Sequence, residues 1–162
     1  MKNRIYFLLS ILMLSLISFG SQAQYLTGIG VRLGTSNGIT VIRYFAPRAR
    51  GAGDLIIANE FNGWCGTLLY EIHFNNHNEN IEMANVGFFL GAGVHAGLFG
   101  GKEYNDASKT RVFATGIDFI IGAEWKLPHV PLLLSVDFKP YYDVNADQPD
   151  FIDVCGSLRY LF

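Results

Sequence analysis

The sequence predicts an all-β fold, an eight-stranded antiparallel up-and-down barrel that crosses a membrane with its strands. Three observations predict it. The stretch Gly156–Phe162 alternates Leu158, Tyr160 and Phe162 against Ser157, Arg159 and Leu161, and the chain stops on the phenylalanine. The same period of two recurs along the chain in segments of about ten residues, with aliphatic and aromatic residues on one face and glycine and charge on the other. Half of all residues are hydrophobic and 14% are aromatic, yet beyond the first residues there is no second apolar run of about 18. An apolar chain without a spanning helix can satisfy its backbone in lipid only by closing a sheet.

The amino terminus has the form of an export signal. Lys2 and Arg4 precede an uncharged run through Phe19, and Ser21-Gln22-Ala23 supplies small residues at the positions a signal peptidase reads. This predicts a signal peptide over 1–23, cleaved before Gln24, in preference to a retained anchor. No cysteine follows the run, so a lipid-modified terminus is not expected. The remaining segment, 24–162, is long enough for one domain. It holds ten basic and fourteen acidic residues, a balance that argues against nucleic acid as a partner.

Strand one is expected over Tyr25–Gly34, with Thr27, Ile29, Val31 and Leu33 outward and Gly28, Gly30 and Arg32 inward. Thr35-Ser36-Asn37-Gly38 supplies a tight connection. Strand two, Ile39–Phe45, reads with Thr40, Ile42 and Tyr44 outward and Val41 and Arg43 inward. After a Pro47-containing turn, strand three, Ala52–Phe61, has no decided parity. Strand four, Gly66–Phe74, sets Leu68, Tyr70, Ile72 and Phe74 against Leu69, Glu71 and His73.

Strand five, Val86–Phe99, needs a decision. Gly87/Gly91 and Gly93/Gly97 have the spacing of packed transmembrane helices. The run is short and contains His95, and with period two it separates into a wholly apolar face and a glycine-rich one, so the strand is preferred. Strand six, Val112–Lys126, opposes Ile117, Phe119, Ile121, Ala123 and Trp125 to Gly116, Asp118, Ile120, Gly122, Glu124 and Lys126. Pro128 and Pro131 mark the next turn, since neither can sit inside a central strand. Strand seven, Leu132–Tyr141, opposes Leu134, Val136 and Phe138 to Ser135, Asp137 and Lys139, and strand eight runs Phe151–Phe162.

Two constellations follow from these faces. If strand one starts on the periplasmic side, the outward residues at periplasmic strand ends are Tyr25, Tyr44, Phe74, Phe88, Trp125, Tyr160 and Phe162, an aromatic belt at a lipid interface. The inward set holds Arg32, Arg43, Lys126, Lys139 and Arg159 with Glu71, Asp118, Glu124, Asp137 and Asp153. Eight strands enclose an interior that side chains can fill, and charges buried there must be paired. The expectation is a plugged, charge-balanced lumen rather than an open pore.

The motifs Gly28-Ile29-Gly30-Val31-Arg32-Leu33-Gly34, Gly91-Ala92-Gly93-Val94-His95, Ile121-Gly122-Ala123-Glu124-Trp125-Lys126, Val136-Asp137-Phe138-Lys139-Pro140 and Arg159-Tyr160-Leu161-Phe162 together resemble the small outer-membrane β-barrel proteins of Bacteroidetes-type bacteria, within the OmpA/OmpX-like eight-stranded class. The resemblance spans all of 24–162. It implies a monomer in the outer membrane of a Gram-negative bacterium, with outer-membrane lipid around it. It also implies that the barrel-assembly machinery reads Tyr160 and Phe162 during biogenesis. It does not fix an activity, because the class includes adhesins, structural proteins and small channels. Unlike two-domain OmpA-like proteins, the chain ends with the barrel.

The leading expectation is a structural or surface-interaction protein that presents loops near Asn62–Cys65, Gly100–Thr110 and Asp143–Asp150, where an extracellular ligand could bind. The alternatives are a narrow channel or ligand carrier, and a lipid-modifying enzyme. For the last, His73, His95, Ser135, Ser157, Asp118 and Glu124 could in principle supply a nucleophile, a base and an orienting group. No nucleophile elbow, metal-spaced cluster or phosphate loop frames them, so no catalytic, metal or cofactor site is expected. Cys65 and Cys155 fall on strands on opposite sides of the expected barrel and are read as two separate thiols.

Overall fold

A computed structural model of the chain describes residues 26–45, 50–75, 86–101, 110–146 and 152–162. The segment 1–23 expected to be a signal peptide and Tyr25 lie outside them. Eight strands follow in order: β1 (Thr27–Gly34), β2 (Asn37–Tyr44), β3 (Gly51–Glu60), β4 (Gly63–Asn75), β5 (Val86–Gly100), β6 (Arg111–Lys126), β7 (Leu132–Asp143) and β8 (Ile152–Leu161). Each pairs antiparallel with the next, and β8 returns to pair with β1, which closes the sheet into an up-and-down barrel without an edge. The start of β1 and the finish of β8 lie at one end of the barrel, the basal end, and the opposite end is distal.

Two distal hairpins are tight. Thr35-Ser36 alone separates β1 from β2, and Phe61-Asn62 alone separates β3 from β4. Phe61 and Asn62 have φ of 45° and 52°, the left-handed pair that matches the twist of flanking strands. A bulky residue seldom adopts such a φ. The hydrogen bond from Gly100 N–H to Phe61 O (2.8 Å) and the edge-on contact of the Phe61 and Phe99 rings, 6.2 Å between centroids, hold it there.

Alternation sorts side chains by face. In all eight strands buried side chains fall on the inward parity, and the exposed large apolar residues fall on the outward one. The outward faces carry Ile29, Val31, Leu33, Leu55, Ile57, Leu68, Leu90, Val94, Ile117, Phe119, Ile121, Val136 and Phe138, all exposed. The faces expected for strands one and four to eight are those observed. Strand three, undecided in sequence, turns Ala52, Asp54, Ile56 and Ala58 inward.

Strand two reverses the expectation. Thr40 and Ile42 are fully buried, while Arg43 is exposed and its guanidinium donates to the Thr27 hydroxyl. The reason is register. The two-residue turn pairs Arg32 with Gly38, Gly30 with Thr40 and Gly28 with Ile42, and paired residues share a face. Ile42 therefore covers the bare backbone of Gly28 inside the barrel, where a Cβ on that glycine would lie 3.0 Å from the isoleucine methyl.

Candidate functional site: the charged lumen

The interior is filled by alternating polar and apolar layers. At the distal mouth Cys65, Phe99, Val112 and Ala114 cluster beneath Phe61 and Ala146. In the middle, Ile56, Ala58, Leu69, Phe89 and Ile120 form a second apolar cluster. Glycines on the inner wall seat the rings: Phe89 lies over Gly122, where a Cβ would come within 2.4 Å of the ring, and His95 lies over Gly116.

Three polar groups are built around these clusters. In the first, Arg32 of β1 donates to both oxygens of Asp137 on β7, at 2.6 and 2.7 Å, and to Asp153 on β8 at 3.1 Å. The bidentate geometry is the strongest form of such a pair. Asp153 also accepts from the hydroxyls of Thr35 and Ser36 in the β1–β2 turn. Lys139 bridges onward, 3.6 Å from Asp153 and 3.0 Å from Asp118. The His95 imidazole then joins Asp118 at 2.8 Å to Asp143 at 2.6 Å.

In the second, Arg159 of β8 donates to Ser135 of β7 (3.0 Å), Thr40 of β2 (3.1 Å) and Asp54 of β3 (2.8 Å). Thr40 in turn donates to Asp54 at 2.7 Å. In the third, toward the basal end, His73 of β4 lies between Glu71 and Glu124, 3.1 Å from each, and Tyr44 donates to Glu124 at 3.3 Å. The His73 ring stacks on Phe89 and meets Tyr44 edge-on.

Proton counting constrains both histidine triads. A neutral imidazole donates at one nitrogen only, yet both nitrogens of His73 and of His95 face carboxylate oxygens. Each such contact that is a hydrogen bond takes its proton from the ring or from the acid. With both ring nitrogens occupied by carboxylates, neither imidazole is presented to a serine hydroxyl, and Ser135 instead accepts from Arg159. Among the described residues no group of three or more His, Cys, Asp or Glu is arranged to hold a metal ion.

Of the residues expected in the lumen, Arg32, Glu71, Asp118, Glu124, Asp137, Lys139, Asp153 and Arg159 are buried there. Two are not. Arg43 points outward because of the β2 register, and Lys126, on the inward parity, emerges exposed at the last position of β6. Sequence reading missed Asp54, whose strand had no assigned face, and Asp143, taken as the start of a loop. Among the described residues the expected balance of five cations with five anions therefore gives way to three buried cations, Arg32, Lys139 and Arg159, facing seven buried carboxylates, with His73 and His95 each set between two of them.

The basal outward aromatics are Phe74, Phe88, Trp125, Tyr160 and Phe162, with Phe45 and Tyr70 stacked beside them. Tyr44 leaves that belt for the lumen, and Phe45 takes its outward place. A second set, Trp64, Phe113 and Tyr142, stands outward near the distal end. The two cysteines are separate thiols: Cys65 lies in the distal cluster, and Cys155 donates to Ser36 O at 3.2 Å.

The barrel is similar to the N-terminal β-barrel domain of Pseudomonas aeruginosa OprF, with a TM-score of 0.65 at 12% identity, covering 87% of this chain and all of that domain. Neisserial surface protein A is a second similar structure, with a TM-score of 0.46 at 11% identity over 84% of this chain and 93% of that one. The likeness is one of fold. No protein-family model and no curated protein matches the chain.

Proposed function

We propose that the protein is a small outer-membrane β-barrel with a closed lumen, acting as a structural or surface-presenting element rather than as a pore or an enzyme. The observation that carries this reading is its polarity. Apolar side chains cover the outside around the whole circumference, while Arg32, Asp54, Glu71, Asp118, Asp153 and Arg159 are buried inside. A water-soluble monomer seldom exposes a contiguous apolar patch of more than a few hundred Å². Lipid-spanning barrels have this arrangement, with aromatic girdles at both interfaces.

The closed lumen follows from reach across it. Arg159 ties β8 to β2, β3 and β7, and Arg32 ties β1 to β7. With the apolar clusters between these ties, the interior is packed protein rather than a water column. Surface presentation would fall to the distal connections, whose residues 102–109 and 147–151 lie outside the described part.

Refolding the 24–162 segment into phospholipid vesicles tests the membrane reading. Expected are co-flotation with the vesicles and a gel mobility that changes only on boiling. A folded protein that remains in the aqueous fraction would contradict it.

A further inference from the structure

The outer wall is interrupted at Gly156. This glycine stands on the outward row of β8, paired with Leu33 of β1 on one side and Val136 of β7 on the other. Val136 pairs in turn with Ala123 of β6. Across four strands this row therefore reads large, bare, large, small. The next row toward the basal end is large throughout, with Leu158 and Leu134 leading to Trp125. Between the two rows runs a groove of about 620 Å³ with almost wholly apolar walls.

Packing does not account for the missing side chain. At Gly122 a Cβ would strike the Phe89 ring at 2.4 Å, and at Gly30 it would strike the Leu158 carbonyl. At Gly156 the nearest atom to such a Cβ is Ser135 O, at 3.8 Å, an ordinary contact. The bare backbone at Gly156 is thus free to take a side chain, and what its bareness provides is the groove.

We propose that this groove seats one acyl chain of a bilayer phospholipid. The proposal rests on the membrane-barrel reading above, and four observations select the occupant. The groove is continuous with the outward apolar band, whose neighbour in that reading is lipid. Ser135, Ser157 and Glu124 border it, but their side chains are buried on the other side of the wall, so apart from the Trp125 indole N–H at the rim the peptide or charged group of a protein partner would meet no hydrogen-bonding side chain there. Its volume lies within the usual span of ligand sites, about 300–1,000 Å³. A second barrel would present a convex wall that rests on the rims, whereas an unbranched chain can enter. Trp125 at the basal rim stands where an indole marks the headgroup level, which orients the seated chain with its head end basal.

Native mass spectrometry of the barrel, reconstituted in dioleoylphosphatidylcholine vesicles and released in mild detergent, tests the proposal. The expected spectrum contains a one-lipid adduct that outlasts the loss of loosely held lipid. Gly156→Leu should lower that adduct about tenfold, the equivalent of about two methylenes leaving contact. Ala123→Leu fills the groove from its other end and should do the same. Gly66→Leu, on an outward position of β4 where a Cβ also meets nothing nearer than 3.9 Å, should leave the adduct unchanged. Any of three results would overturn the proposal: no adduct on the native barrel, an adduct unaffected by both filling variants, or a dimer mass in its place. Failure of the native protein to enter vesicles would instead contradict the barrel reading and remove the groove with it.

Discussion

Arg159 on β8 and Asp54 on β3 meet at 2.8 Å although β1 and β2 stand between their strands in the wall. The contact is a chord across the lumen. Both residues are buried, and Thr40 supplies the third corner by donating to Asp54 and accepting from Arg159. Such a chord exists only once the barrel has closed, so it reports closure rather than local hairpin formation.

Asp54→Ala leaves the Arg159 guanidinium buried without its carboxylate, and breaking a buried pair from one side costs about 3–5 kcal/mol. The double variant Asp54→Leu with Arg159→Met removes both charges and should be considerably less destabilised than either single change. Urea midpoints of the heat-modifiable band in vesicles measure this. Simple additivity of the two single effects would count against the chord.

The register of β2 separates two arginines that look alike in sequence. Arg32→Ala should destabilise by about 3–5 kcal/mol, because Asp137 and Asp153 lose a shared buried partner. Arg43→Ala, at an exposed outward position, should stay within about 0.5 kcal/mol of the parent. Equal losses for the two would place Arg43 in the lumen and reverse the β2 assignment.

That register was the hardest part of the fold to read from sequence. Strands five to eight were legible because their faces differ sharply in chemistry, as where Val136 and Phe138 alternate with Asp137 and Lys139. In β2 the two faces are Thr40, Ile42 and Tyr44 against Val41 and Arg43, and choosing the face without charge as outward gives the wrong answer. Ile42 faces inward because Gly28 leaves space to fill, and Tyr44 because its hydroxyl reaches Glu124. In β3 both faces are mostly apolar, and the one usable signal was Asp54, a carboxylate in mid-strand. The pairings themselves were not legible at all. Arg159 with Asp54, or His73 between Glu71 and Glu124, depends on which strands the closed barrel sets across from one another, and no spacing along the chain encodes that.

Gly122 is the seat of the Phe89 ring in the middle cluster. Gly122→Ala brings a methyl against that ring and against Val136 O, 2.7 Å away, and overpacking of this kind costs about 1–3 kcal/mol. Gly156→Ala, with its open surroundings, should be tolerated. A thermal shift of the heat-modifiable transition distinguishes them, and a tolerated Gly122→Ala would mean that Phe89 does not rest there.

Glu124 holds both His73 and Tyr44, so Glu124→Ala unpairs one buried and one half-buried group and should cost a few kcal/mol. Glu124→Gln keeps the bulk and one carbonyl oxygen, enough for one of the two contacts to His73 and Tyr44, and should be milder. The same urea series serves, and equal penalties for the two variants would show that a retained hydrogen-bond acceptor of the same bulk recovers nothing and that the carboxylate charge is what matters at this position.

Single-channel recording on planar lipid bilayers tests the closed lumen most directly. Native barrel, its insertion verified by heat-dependent mobility, should give a flat baseline without discrete steps at any applied voltage the bilayer withstands. Resolved, reproducible conductance steps from the native protein would contradict a lumen sealed by Arg32, Phe89 and Arg159.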